Sequence, residues 1–430
     1  MACCDDPALR PPPAGGDLTR RSFVARSLGL ALSVYGAGRL GLFDEGVATA
    51  AASPPQRVLV TVFLEGGADA LALLYPDGDP LYRRLRPRLA LSGGQPFAED
   101  DRLRWHPSLD PLAQLHAEGK VTVLPSVGYE HPDQSHFTSR HFWEVGATDT
   151  GLRTGWLGRY LDRVGSPDNP LQGVSLTGQL QPSLATSRVP VAALDGPSQY
   201  DFWTQGVWDE VERHMLDTLG AFGSLGGDPA VHQVAAVAAQ SHRLYTQLAP
   251  FGKAKLAPPV PYPDVQDSFP KRLAGLAAMV GAGLPLHCVA LEAAGEYDTH
   301  ADQASGLAAS LATTAQSLLA FQRDLESRGV ADRVLTLVWS EFGRRAAENG
   351  SAGTDHGAAG AAFVIGTRAA GRMVGEFAGL KAGLDPDGNL RATSDFRGLY
   401  AALLEQWLQC DAAAVLPDAH RFARPKLLRA

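Results

Sequence analysis

The sequence predicts an α/β fold: an open, mostly parallel sheet with helices on both faces and a central insertion. Three observations predict it. Short β-branched apolar runs recur along the chain, too continuous to alternate and so buried on both faces. Helical-period leucine stripes separate them. Polar residues able to do chemistry follow the apolar runs directly, where ligands bind in open α/β sheets.

The expected strands, in order, are 57–64, 121–127, 286–291, 334–339 and 361–365. The first, Arg57-Val58-Leu59-Val60-Thr61-Val62-Phe63-Leu64, is closed by Gly66-Gly67. Between the strands, Leu109, Leu112 and Leu115 mark a helix over 107–117, and Leu273, Leu276 and Met279 one over 269–280. A third, over 303–328, carries Leu307, Leu311, Leu318 and Leu325. The last, over 396–408, carries Leu399, Leu403, Leu404 and Trp407. Strands alternating with helices imply crossover units. Residues 165–265 read differently. Short apolar pieces at 173–176 and 189–194 sit among Pro, Gly and Ser, followed by an Ala/Val-rich helix near 231–248 and the extended Pro258-Pro259-Val260-Pro261-Tyr262-Pro263. This segment is expected to be an insertion or cap.

The first fifty residues read as an address. Leu18-Thr19-Arg20-Arg21-Ser22-Phe23-Val24 matches the twin-arginine export signal, and an apolar stretch over 27–42 follows. Gly29, Gly36, Gly38 and Gly41 interrupt that stretch, which is too short to span a bilayer. Ala48-Thr49-Ala50 offers a cleavage site. The expected organisation is therefore a signal peptide over 1–50 and an α/β domain over 51–430, periplasmic or extracellular, with the twin-arginine translocase as a partner during export. No other stretch reaches 18 consecutive apolar residues, so no stable membrane span is expected in the mature chain.

The 430 residues carry a formal charge of −8 with no basic stripe, which excludes a general nucleic-acid binder. Cysteine usage excludes a disulfide scaffold. Cys3 and Cys4 precede the arginines, and Cys288 and Cys410 lie in separate apolar runs as expected free thiols.

Chemistry is expected at the strand ends. The first strand leads to Glu65-Gly66-Gly67-Ala68-Asp69, and the second to His131-Pro132-Asp133-Gln134-Ser135-His136. The third leads to Glu296-Tyr297-Asp298-Thr299-His300, and the fourth to Ser340-Glu341-Phe342-Gly343-Arg344. Just before the fifth stands Gly353-Thr354-Asp355-His356-Gly357. Gathered at one edge, these carboxylates and imidazoles suit Zn²⁺ or Mn²⁺ better than Mg²⁺ or Ca²⁺. Two such ions about 4 Å apart would clamp a phosphoryl or sulfuryl group. The bland alternative is that Asp69, Ser135 and Asp298 only cap helices. His131, His136 and His141 recur every five residues. On a helix they diverge by about 140° and cannot share an ion, and His136 is singled out because it neighbours Ser135.

At these residues the chain resembles the exported bacterial family called domain of unknown function 1501, itself similar to the alkaline phosphatase superfamily of phosphatases, sulfatases and cofactor-independent phosphoglycerate mutases. The resemblance rests on the twin-arginine signal, Phe63 to Asp69, Asp133 to Phe137, Thr154-Gly155-Trp156-Leu157-Gly158-Arg159, Tyr297 to His300, Ser340 to Arg344 and Gly353 to Gly357. It implies an alkaline-phosphatase-like fold. It further implies that Asp69 (or Glu65) with Asp355 and His356 holds one metal, that Asp298 and His300 hold a second, and that Ser135 is the nucleophile. Arg344 or Arg140 would stabilise developing negative charge. The sulfatase C/S-x-P-x-R motif is absent around Cys288 and Cys410. The implied activity is metal-dependent hydrolysis of a small-molecule or polymer-borne anionic ester. The alternative is a non-catalytic binding or scaffold protein on the same fold.

Overall fold

Residues Val58–Phe63 form a strand buried along its whole length, and its alternation divides the interior in two. Val58, Val60 and Val62 point into one apolar cluster, Leu59 and Phe63 into another, because successive strand side chains face opposite ways. The strands are β1 (Val34–Tyr35), β2 (Val58–Phe63), β3 (Leu74–Tyr75), β4 (Arg104–Trp105), β5 (Val121–Gly128), β6 (Gly173–Ser175), β7 (Val191–Ala193), β8 (Cys288–Glu292), β9 (Val334–Trp339), β10 (Gly360–Ile365) and β11 (Ser394–Asp395). The computed structural model describes residues 34–35, 57–197, 214, 218, 221, 229–253 and 257–429.

Nine strands form one sheet in the order β1-β7-β6-β8-β2-β9-β10-β5-β11. β7, β6, β8, β2 and β9 run parallel to one another, in register from Phe63 opposite Glu292 to Phe63 opposite Trp339. β10 runs antiparallel to both neighbours, β9 and β5. The fold is thus α/β on a mixed, mostly parallel sheet, with β3 and β4 as a separate two-stranded ribbon.

The longer helices are α1 (Asp110–Ala117), α2 (His136–Val145), α3 (Trp156–Val164), α4 (Pro229–Lys253), α5 (Phe269–Gly281), α6 (Gln303–Ser327) and α7 (Phe396–Ala402). The stripes of α1, α5 and α6 pack on the Val58/Val60/Val62 face, and those of α3 and α7 on the Leu59/Phe63 face. Leu311 of α6 is 1% exposed; its truncation to Ala would cost about 2–5 kcal/mol. The helix expected over 396–408 is α-helical to Ala402 and closes with a π turn, Leu403–Trp407. α2 ends at Gly146, whose φ of 68° a side chain would adopt only under strain. A Cβ there would also lie 2.7 Å from Leu416.

The two apolar pieces expected within the insertion are strands of the main sheet, β6 and β7. They are too short to show a period, and only long-range pairing identifies them, β6 with β8 and β7 with β6. The twin-arginine motif and the cleavage site lie outside the described residues; Val34 and Tyr35, inside the expected signal, pair antiparallel with Ala192 and Val191. Among the described residues no helix is long and apolar enough to cross a membrane. Cys288 and Cys410 are free thiols, and burial pushes both up.

Candidate metal centre

Strand direction gathers the site. β5, β8 and β9 end at one sheet edge, so the segments after them, carrying His136, Asp298 with His300, and Glu341 with Arg344, emerge there. β10 runs the other way, so the residues that precede it, Asp355 and His356, lie at that same edge.

Four side chains converge. The Nε2 atoms of His300 and His356 are 2.8 Å apart. Asp298 Oδ1 lies 3.1 Å from His300 Nε2 and 3.6 Å from His356 Nε2, and Asp298 Oδ2 lies 3.5 Å from His136 Nε2. The ligating atoms of His136, Asp298 and His356 all fall within 4.8 Å of one another. A tetrahedral zinc with bonds of ~2.0–2.1 Å has ligand–ligand edges of about 3.3 Å, within the spread seen here.

The outer nitrogens decide what those inner atoms offer. His356 Nδ1 lies 2.7 Å from the carbonyl oxygen of Gln134. A carbonyl only accepts, so Nδ1 donates, and in the neutral ring Nε2 is a bare lone pair. Burial favours that neutral ring by pulling the His356 pKa down. His136 Nδ1 lies 2.7 Å from Glu341 Oε1, which fixes the same tautomer, and its buried Nε2 has no hydrogen-bond partner. His300 Nδ1 faces Asp355 Oδ1 at 3.6 Å. Three imidazoles therefore turn their second nitrogen to an acceptor and aim the first at a carboxylate. Metal-bound histidines are arranged this way, and the residues present fit a divalent cation. Burial raises the Asp298 pKa, but the hydrogen bond and charge of Arg344, with His136 and His300, outweigh it and hold the carboxyl below its ordinary range. The hydrogen bond that His136 donates to Glu341 raises the His136 pKa.

Glu341 is the centre's fixed point. It is 1% exposed. Besides His136, it accepts Gly66 N–H and Gly67 N–H, each at 3.1 Å, and the Ser340 hydroxyl at 3.0 Å. Only a glycine fits at 66: its φ is 116°, and a Cβ would lie 2.3 Å from the Asp298 nitrogen. The Glu-Gly-Gly and Ser-Glu-Phe-Gly-Arg motifs thus build one buried cradle. Phe342 packs against the rings of His136 and His356 at 4.9 and 4.8 Å.

The structure unites Asp298, His300 and His356 and places Asp355 behind His300, where it accepts Asn349 Nδ2 at 3.0 Å. Among the described residues, the side chains able to share one ion are His136, Asp298 and His356, with His300 Nε2 next to Asp298 and His356. Asp69 is a correction. Its carboxylate, fully buried, takes both ends of Arg86 at 2.6 and 2.9 Å, the Gln303 amide at 2.6 Å and Leu71 N–H at 3.2 Å. Those donors use its lone pairs, so it holds a structural ion pair and a helix cap instead of a metal. The alternative, Glu65, is half exposed and pairs with Arg140 at 2.7 Å.

Arg344 is a second correction. It is buried, and donates to the carbonyls of Gly66, Gly67, Thr354 and Tyr297 and to Asp298 Oδ1 at 2.5 Å. Its guanidinium donors are engaged by these acceptors, which makes it a strut that orients Asp298. Arg140 is engaged by Glu65, Glu144 and Glu292. Ser135 begins α2, beside His136, and its side chain makes no capping hydrogen bond. His136 as a ligand and Glu341 as its orienting partner were not foreseen from sequence. The signal was the Ser-His pair after a strand; the partner lies 205 positions away.

A family model described as "Protein of unknown function (DUF1501)" matches residues 122–388. No curated protein matches the chain. Among solved structures, Ps i-CgsB in complex with k-i-k-neocarrahexaose is 10% identical, with 86% of this chain and 75% of that chain covered and a TM-score of 0.37. A protein in the alkaline phosphatase superfamily from Vibrio parahaemolyticus is 8% identical, with 93% and 78% covered and a TM-score of 0.36. The PsFucS1 sulfatase from Pseudoalteromonas sp. is 14% identical, with 87% and 74% covered and a TM-score of 0.34. Likenesses of this size assign neither activity nor substrate.

Proposed function

We propose that this chain, which belongs to the DUF1501 family, is an exported metal-dependent hydrolase of phosphate, sulfate or related esters, with a single centre made by His136, Asp298, His300 and His356. One observation carries the reading: three imidazole Nε2 atoms and a carboxylate meet with every outer ring nitrogen turned to an acceptor. The three-imidazole share favours Zn²⁺ or Mn²⁺ over Mg²⁺ or Ca²⁺. A divalent ion held there supplies Lewis acidity toward an ester oxygen.

The chain's own residues do the rest. Ser135, adjacent to His136, offers its hydroxyl as the attacking group at the N-terminal end of α2, where free N–H groups favour an anion. Glu341 and Gln134 hold two imidazoles in the tautomer that keeps Nε2 free. Arg344 keeps Asp298 ionised and in place. Export by the twin-arginine route is part of the proposal, motivated by Arg20-Arg21-Ser22-Phe23, and places the enzyme in the periplasm or beyond. The substrate is a small or polymer-borne anionic ester, with no role for nucleic acid. The test is turnover of aryl phosphate and aryl sulfate by metal-loaded protein and by His356→Ala. Activity in the first and none in the second supports the reading; none in either overturns it.

A second reading, a non-catalytic metal-binding or scaffold protein, is favoured by the groove that opens onto the centre. The groove, about 620 Å³, is lined by Glu65, Glu144, Glu296, Glu341 and Asp298, with Arg140 as its cation among the described residues. Phe137 at its edge is 89% exposed. Such a groove repels a free anion and suits a neutral or cationic partner. Metal retained without any turnover supports this reading.

A further inference from the structure

A second, oppositely charged pocket lies at the other edge of the sheet. Arg57 immediately precedes β2, and Arg368 follows the end of β10, so both stand at the edge away from the metal centre. With Lys426 and Arg429 they line a pocket of about 360 Å³. The four cations share this pocket without an acidic lining residue, in a chain of formal charge −8.

The backbone holds them together despite their repulsion. Arg429 N–H donates to the Arg368 carbonyl at 3.0 Å, and Ala369 bridges antiparallel to Leu428, so the two arginines are cross-strand neighbours. Like charges so placed are destabilising. Arg57 and Arg429 meet neutral groups here. Arg57 donates to the Trp407 carbonyl at 2.8 Å and lies 5.3 Å from that indole's centre. Arg429 donates to the carbonyls of Ala369 at 3.0 Å and Glu118 at 3.4 Å. The Glu118 carboxylate itself is turned to Arg323 and Lys120. Among the described residues no carboxylate forms an ion pair with any of the four cations. Trp407, which lines the pocket, is 1% exposed, and its indole N–H donates to the Val58 carbonyl at 3.1 Å.

We propose that this pocket binds a phosphate group, carried either by a small anion or by a lipid headgroup. Arg57 and Arg429 are held by carbonyls through part of their donors, and Arg57 keeps its Nε and Nη2 N–H groups in the fork that phosphate oxygens match. Lys426 adds an exposed charge to the lining. The site is independent of the metal centre in position and in chemistry.

Calorimetric titration of the full chain with inorganic phosphate tests it, beside the exposed-residue variant Arg368→Glu/Lys426→Glu and the metal-centre variant His356→Ala. Parallel cosedimentation uses vesicles of phosphatidylcholine with and without phosphatidylglycerol. The expected result is a phosphate-binding event that weakens by at least about tenfold in the double variant and persists in His356→Ala. Binding of free phosphate identifies a small anion; binding of the phosphatidylglycerol vesicles alone identifies a headgroup. Loss in His356→Ala with retention in the double variant would overturn the proposal. So would binding to neither probe below about 10 mM phosphate. Melting curves of the double variant confirm that it folds.

Discussion

His136 Nδ1 and Glu341 Oε1 meet at 2.7 Å and join the start of α2 to the end of β9. That contact fixes which nitrogen of the ring faces Asp298, and it makes Glu341 a positioning residue for the centre. Glu341→Gln should lower metal affinity about 10–100-fold. It should also cost about 1–3 kcal/mol, because the amide cannot accept from Gly66 and Gly67 as the carboxylate does. Metal content after dialysis and a urea melt read the two effects separately. Unchanged metal affinity would remove Glu341 from the account.

Asp69 is expected to matter for stability alone. Breaking a buried ion pair by removing one partner costs about 3–5 kcal/mol, so Asp69→Asn should lower the unfolding free energy by that order. The metal content of the folded fraction should stay at the wild-type level. A loss of metal in folded Asp69→Asn protein would restore Asp69 as a ligand.

Ser135→Ala separates chemistry from packing cleanly, because the Ser135 side chain makes no capping hydrogen bond. Its stability change should stay within about 0.5 kcal/mol. Ester hydrolysis should fall to background while metal content persists. Retained turnover would leave water as the attacking group.

Glu144 gives the groove a pH signature. Burial pushes its carboxyl from 4.5 up to about 7, against the opposing pull of Arg140. In the unfolded chain the group ionises near its ordinary value. Between pH 4.5 and about 7 the unfolded state therefore binds fewer protons, and stability falls as pH rises through this window. Glu144→Gln should flatten that fall, which amounts to at most about 3 kcal/mol. Urea midpoints at the two ends of the window provide the measurement; an unaltered slope would contradict it.

Much of this arrangement is legible in the sequence. Residues 121–127, 334–339 and 361–365 announce themselves as strands because they are apolar on both faces, and β5, β9 and β10 occupy those positions. Asp298, His300 and His356 could be placed at one edge from their positions beside such strands. Their convergence depends on β10 running antiparallel, which no local pattern encodes. The five-residue spacing of His131, His136 and His141 excludes a shared helical face. In the structure His131 is exposed, His141 contacts the Asp149 carbonyl, and His136 alone reaches the cluster. Asp69 misled because an Asp after a first strand reads the same whether it meets a metal or Arg86. The answer lay in Arg86 and Gln303, and no periodicity connects those positions.

The most direct test of the central claim is elemental analysis of the wild-type protein, purified without chelator, beside His136→Ala and His356→Ala. One divalent ion per chain, zinc or manganese, is expected in the wild type, and little or none in either folded variant. Wild-type protein without stoichiometric metal, or variants that keep it, would contradict the assignment of His136, Asp298, His300 and His356 as one centre.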